Sequence, residues 1–141
     1  MSRLGGEFAI LMLVTVPEEN FEAMRERVRG LREEGFKVTT RETKRGVSKK
    51  YAGWLPYKVE VMGADHEGII HDVAQHLAEQ GINIETLDTG TIPAPMSGAP
   101  LFTMTAIVLV PPTLPFTEWR DDLEEVGDKL NVDTEVMPYK G

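Results

Sequence analysis

Asp65, His66, Glu67 and Gly68 stand in a row directly before an apolar helical stripe, in "GADHEGIIHDVAQHLAEQGINIETLD" at 63–88. The first N–H groups of a helix have no partner inside it and lie at the positive end of its dipole, which suits a carboxylate. Ile69 opens the stripe and supplies one of those groups, and Gly68 has no Cβ to keep a ligand from the backbone. The Asp65 carboxylate can accept hydrogen bonds from an ammonium, and His66 sits at the same mouth. Asn83, where the next strand begins, offers an amide that both donates and accepts. Asp65, His66, Glu67, Gly68, Ile69 and Asn83 therefore form a candidate site for a zwitterion such as an amino acid. The same residues have a plainer reading, in which Asp65 is an N-cap and Gly68 and Gly81 are turn residues.

Other chemistries fare worse. His66, His71 and His76 are spaced i, i+5 and i+10, whereas a zinc pair on a helix wants i, i+3 or i+4; Asp72 and His76 have that spacing but are one pair. With no cysteine, thiol nucleophiles, disulfides and cysteine–zinc sites are excluded. Ser2, Ser48 and Ser97 lie in no nucleophile-elbow context, and the glycines at 5–6 are a lone pair before a strand. No metal, cofactor or catalytic residue is expected. The formal charge of −8 repels a polyanion, and the one basic cluster, Arg41, Lys44, Arg45, Lys49 and Lys50, reads as a solvated linker. The apolar run at 8–14 falls well short of the roughly 20 residues of a membrane span. A cytoplasmic chain without direct nucleic-acid or membrane contact is the expectation.

The elements that must position the mouth follow from periodicity. Residues 57–62 alternate as a strand, and Ile69, Ile70, Val73, Leu77 and Ala78 form a helical stripe that closes at Gly81. Strands at 82–90 and 101–110, a helix at about 115–129 and a strand at 131–137 complete a βαββαβ order. That order predicts an α+β, ferredoxin-like unit, with a four-stranded antiparallel sheet and two helices on one face.

Part of this unit occurs twice. Phe8 falls on Phe102, Val14 on Val108 and Pro17 on Pro111, each pair 94 residues apart, and with one residue of slip Phe21 falls on Phe116 and Met24 on Trp119. The first copy reads as strand (7–16), helix (21–31, stopping at Gly35) and strand (36–44), a partial β-α-β copy. The expected organisation is a partial unit at 1–46, a basic linker at 47–53 and a complete unit at 54–141. Everything matching 57–94 is missing from the first copy. The expectation is that the natural product starts upstream of Met1, or that pairing with a second chain or closure of the two strands fills the gap.

The loop ending in Gly68, the helix and "GINIETL" together resemble an ACT domain. Within that family, "TIPAPMSGAPLFTMTA" at 91–106 looks most like the second domain of tandem proteins similar to the glycine cleavage system transcriptional repressor. The resemblance covers about 54–141 and, as the tail of a preceding domain, 2–45. It implies a non-enzymatic regulatory protein, with an amino-acid effector held between the loop, the Asn83 position and a neighbouring ACT domain. It also implies a homodimer and, if transcription of glycine metabolism is controlled, action through a protein partner. Glu67 stands where the family often carries Pro, so the loop lacks that ring's fixed φ. Two alternatives stay open: a ligand-free dimerisation module, and a small metal-dependent hydrolase using Asp65, His66 and Glu67.

Overall fold

A computed structural model describes residues 2–43 and 50–141. Lys44, Arg45 and Lys49 of the basic cluster, and the first three residues, 47–49, of the proposed linker, lie outside the described residues. The chain divides into two compact units, 1–45 and 46–141.

In the first unit β1 (Ser2–Leu4) pairs antiparallel with β2 (Glu7–Ala9). Gly5 and Gly6 make the turn, both at positive φ, 56° and 96°. A two-residue hairpin turn needs that geometry and glycine adopts it without steric penalty, so the apparently idle glycine pair is a turn. A short 3-10 segment (Glu18–Asn20) leads into α1 (Phe21–Gly30), and a second (Leu31–Glu34) ends at Gly35, which is left-handed at φ 96°. The helix and its stop match the sequence reading, but the two strands do not. Of 7–16, only Glu7–Ala9 pairs, and that with β1; residues 36–43 join no ladder. Leu11 is 98% and Leu13 83% exposed, and Phe8, Ile10, Met12 and Phe36 are also open to solvent. An apolar run becomes a strand only where another backbone satisfies its N–H and C=O groups, and among its described residues this unit has no counterpart of the strands that flank 101–110.

The second unit follows the expected order. It runs β3 (Leu55–Ala64), α2 (Ile69–Glu79), β4 (Asn83–Pro93), β5 (Pro100–Val110), α3 (Phe116–Leu130) and β6 (Val132–Pro138). The sheet order is β4-β5-β3-β6, with every neighbour antiparallel. Along β5 the alternation is strict: Phe102, Met104, Ala106, Val108 and Val110 are buried, and the residues between them are half-buried. Their face meets Ile69, Val73 and Leu77 of α2 and Trp119 and Leu123 of α3, so both helices share one core on one side of the sheet. Asn131, left-handed at φ 57°, ends α3 and turns the chain into β6.

Candidate functional site

The mouth of α2 is built by the end of β3 and a four-residue loop. Asp65 leaves the sheet with its N–H 3.4 Å from the Pro100 carbonyl. Gly68 then takes φ 94° and becomes the N-cap position, with no side-chain cap hydrogen bond among the described residues. Asp65 is therefore not the cap, as the plainer sequence reading had it. The glycine is required by backbone conformation rather than crowding, since a Cβ there would meet only the Asp72 carboxylate at 4.0 Å. The first helical hydrogen bond is Asp72 N–H to Gly68 O, 2.9 Å. The N–H groups of Ile69, Ile70 and His71 thus precede the helical ladder and face outward from its start. Asp65, Glu67 and Gly68 are exposed around them.

Two predicted site residues are placed differently from the expectation. The side chain of Ile69 is 1% exposed and belongs to the core, so only its N–H can serve a ligand. Asn83 does not join the mouth. It pairs with Leu109 on β5, whereas Ala64, beside the mouth, pairs with Leu101. Those β5 positions are eight residues apart, roughly 27 Å at ~3.4 Å per residue. The cause is topological: α2 runs the length of the sheet between the end of β3 and the start of β4, which puts loop and asparagine at opposite ends. Asn83 is half-buried there, and its amide donates to the Glu85 carboxylate at 2.5 Å.

His66 is exposed, yet both ring nitrogens are engaged. Nε2 lies 2.6 Å from the Leu130 carbonyl and Nδ1 lies 3.0 Å from the Glu67 carbonyl. These bonds, with the first the stronger, raise its pKa above the usual imidazole value, and the charges of Asp65 and Asp72 add to the effect. An imidazole held this way is free neither to bind metal nor to act as a base, which removes the central group from the Asp65–His66–Glu67 hydrolase reading. His71 sits instead beside Asp72, 3.0 Å away.

Two clefts were not foreseen. One of about 260 Å³ lies between α2 and α3, lined by Asp72, Gln75, His76, Val126, Lys129 and Leu130. At its wall the His76 Nε2 is buried without a hydrogen-bond partner among the described residues. The other, about 160 Å³ in the first unit, is lined by Arg25, Arg29, Arg32, Thr39 and Thr40 with Val28 and Val38. Arginine at i, i+4 and i+7 was its visible signal; the cleft between the helices left none, because it depends on how they pack.

No protein-family model matches the chain. A UPF0237 protein of Streptococcus mutans serotype c is 30% identical over 79 residues, 56% of this chain and 83% of that protein. Among solved structures, an unknown protein from Galdieria sulphuraria is 31% identical at TM-score 0.56, over 72% of this chain and 55% of that one. The chain thus spans about half the length of the Galdieria protein. An ACT domain protein from Streptococcus pneumoniae is 28% identical at TM-score 0.51, over 61% of this chain and 91% of that one. A structure described as a glycine cleavage system transcriptional repressor superposes at TM-score 0.58 over 89% of this chain and 70% of that one, with 12% identity, a likeness of fold alone.

Proposed function

The chain belongs to the UPF0237 family and is an ACT-domain regulatory module, and we propose that it binds an amino acid at a site shared by two copies. The observation that carries this reading is the uncapped start of α2, with three N–H groups that have no partner among the described residues, behind an exposed, acidic, glycine-turned loop. Those N–H groups would take the ligand carboxylate and Asp65 its ammonium. Asn83, stranded at the far end of its own sheet, supports the second copy. If two copies pack α2 against α2 antiparallel about a two-fold axis, the end of one helix lies beside the start of the other. Asn83 of the second copy then stands next to Asp65 of the first, and ligand and dimer stabilise each other. The output is a change in association, and any effect on transcription, including that of glycine metabolism, runs through a protein partner.

A thermal-shift screen of the twenty amino acids tests the reading. At a concentration of 100 times Kd, a cognate amino acid should stabilise the protein by about 2.7 kcal/mol. Because Asp65 caps nothing, Asp65→Ala should leave the free protein within about 0.5 kcal/mol while removing most of that shift. A ligand shift that survives Asp65→Ala would place the site elsewhere, and no shift with any amino acid would favour the ligand-free dimerisation module.

Self-association is the second expectation. Equilibrium sedimentation at tens of micromolar should show a species heavier than the 15.7 kDa monomer; a monomer throughout would rule out a site that needs two copies.

A further inference from the structure

His66 is held in a way that only its charged form satisfies. Its two ring nitrogens face the carbonyl oxygens of Leu130 and Glu67, at 2.6 and 3.0 Å. A carbonyl oxygen only accepts, and a neutral imidazole carries a single N–H. Both bonds exist together only when both nitrogens bear hydrogen. Each carbonyl is also well chosen. Leu130 is the last residue of α3, at the negative end of a helix whose final carbonyls lack helical partners, where a cation is favoured. The Glu67 carbonyl belongs to the peptide whose N–H is that of Gly68. The C=O and N–H of a planar trans peptide point in opposite directions, so holding one sets the other.

We propose that His66 is a proton-operated latch on the mouth of α2. When charged, it ties the loop between β3 and α2 to the end of α3 and sets the Glu67–Gly68 peptide; when neutral, it releases one carbonyl and the loop loosens. Its bearing on ligand uptake rests on the mouth proposed above, since a loosened loop presents the helix N–H groups less well. The latch itself does not depend on that reading.

The surrounding charges favour the latched form. Asp65 on the loop and Asp72 on α2 both act to raise the pKa of His66, behind the two carbonyl bonds, while partial desolvation opposes them. On α3, Asp128 and Lys129 precede Leu130, and the Lys129 ammonium is 3.1 Å from Glu125. On β6, Asp133 pairs with Met62 near the end of β3. The folded pKa is raised, so the latch contributes fully below the unfolded imidazole value of about 6.5. Its contribution is lost as pH rises through the higher folded value.

Long-range proton–nitrogen NMR of the ligand-free chain, from about pH 5 to about pH 9 across the ordinary imidazole range, decides the matter. Both His66 ring nitrogens should stay protonated above the pH at which the histidines of the urea-unfolded chain have lost a proton. The amides of Gly68 and Asn131, which share the two held peptides, should shift with the same midpoint. His66→Gln, which cannot titrate, should abolish that step at both amides and leave the core amides in place. A His66 midpoint at or below the unfolded value overturns the latch, as does a raised midpoint that the two amides do not follow. An amino-acid screen without a hit would leave this titration equally decisive, whereas a flat titration alongside ligand binding would sink the latch alone.

Discussion

Trp119→Ala is expected to destabilise the protein by about 3–5 kcal/mol, against the 5–15 kcal/mol typical of a whole domain. Trp119 is fully buried and is the largest residue in the core. Its ring meets Tyr57 edge-on at 5.3 Å and Phe116 at 5.8 Å, and Tyr57 stacks on Phe116 at 5.2 Å. Removing the indole therefore opens a void and dismantles an aromatic triad that joins α3 to β3. Trp119→Phe should cost much less. Trp119 Nε1 is buried without a hydrogen-bond partner among the described residues, and phenylalanine eliminates that stranded donor along with part of the volume. Urea denaturation followed by circular dichroism measures both. Equal losses for the two variants would mean that the smaller ring recovers none of the packing that the indole supplies.

Gly63→Ala should cost about 1–3 kcal/mol. Gly63 lies in β3, the strand between β5 and β6, and pairs with Val132. A Cβ there would come within 2.7 Å of Val132 Cγ1 and 2.9 Å of its Cα. The first contact could be relieved by a rotamer change, but the second is backbone, so β6 would have to move away. Adding Val132→Ala should consequently recover only part of the loss. Recovery of the whole by that second change in a double-mutant cycle would show that the backbone approach costs nothing.

The second unit was legible because each of its elements carries its own period and its own stop. The alternation of β5, the apolar stripe of α2 and the turn at Gly81 are local properties, and the core that resulted, in Trp119, Leu123, Val73 and Leu77, is the one they outline. The first unit carries the same periodicity with a different result. Met24 and Val28 repeat the Trp119 and Leu123 pattern but are only half-buried, and residues 10–16 form no strand. Periodicity shows which face wants burial; it does not supply the sheet to bury it against.

The site was legible in part. The loop and the bare helix start are visible in "DHEGII", yet the alternative of Asp65 as a cap stays open in the sequence, because nothing local says that Gly68 turns left-handed and takes that position. Asn83 was grouped with the mouth although the strand-helix-strand order itself separates them, since a helix that crosses back over a sheet joins opposite ends of it. The engagement of His66 leaves no local signal, because its partner, Leu130, is 64 residues away along the chain.

The most direct test of a shared amino-acid site is calorimetric titration of the cognate amino acid into Asp65→Ala chains, Asn83→Ala chains and a refolded equal mixture of the two. Each variant alone should fail to bind. The mixture should recover about a quarter of the wild-type capacity, because statistical pairing makes half the dimers mixed and each of those keeps one intact site of two. A mixture as silent as its parts, with wild-type chains binding normally, would contradict a site built from Asp65 of one copy and Asn83 of the other.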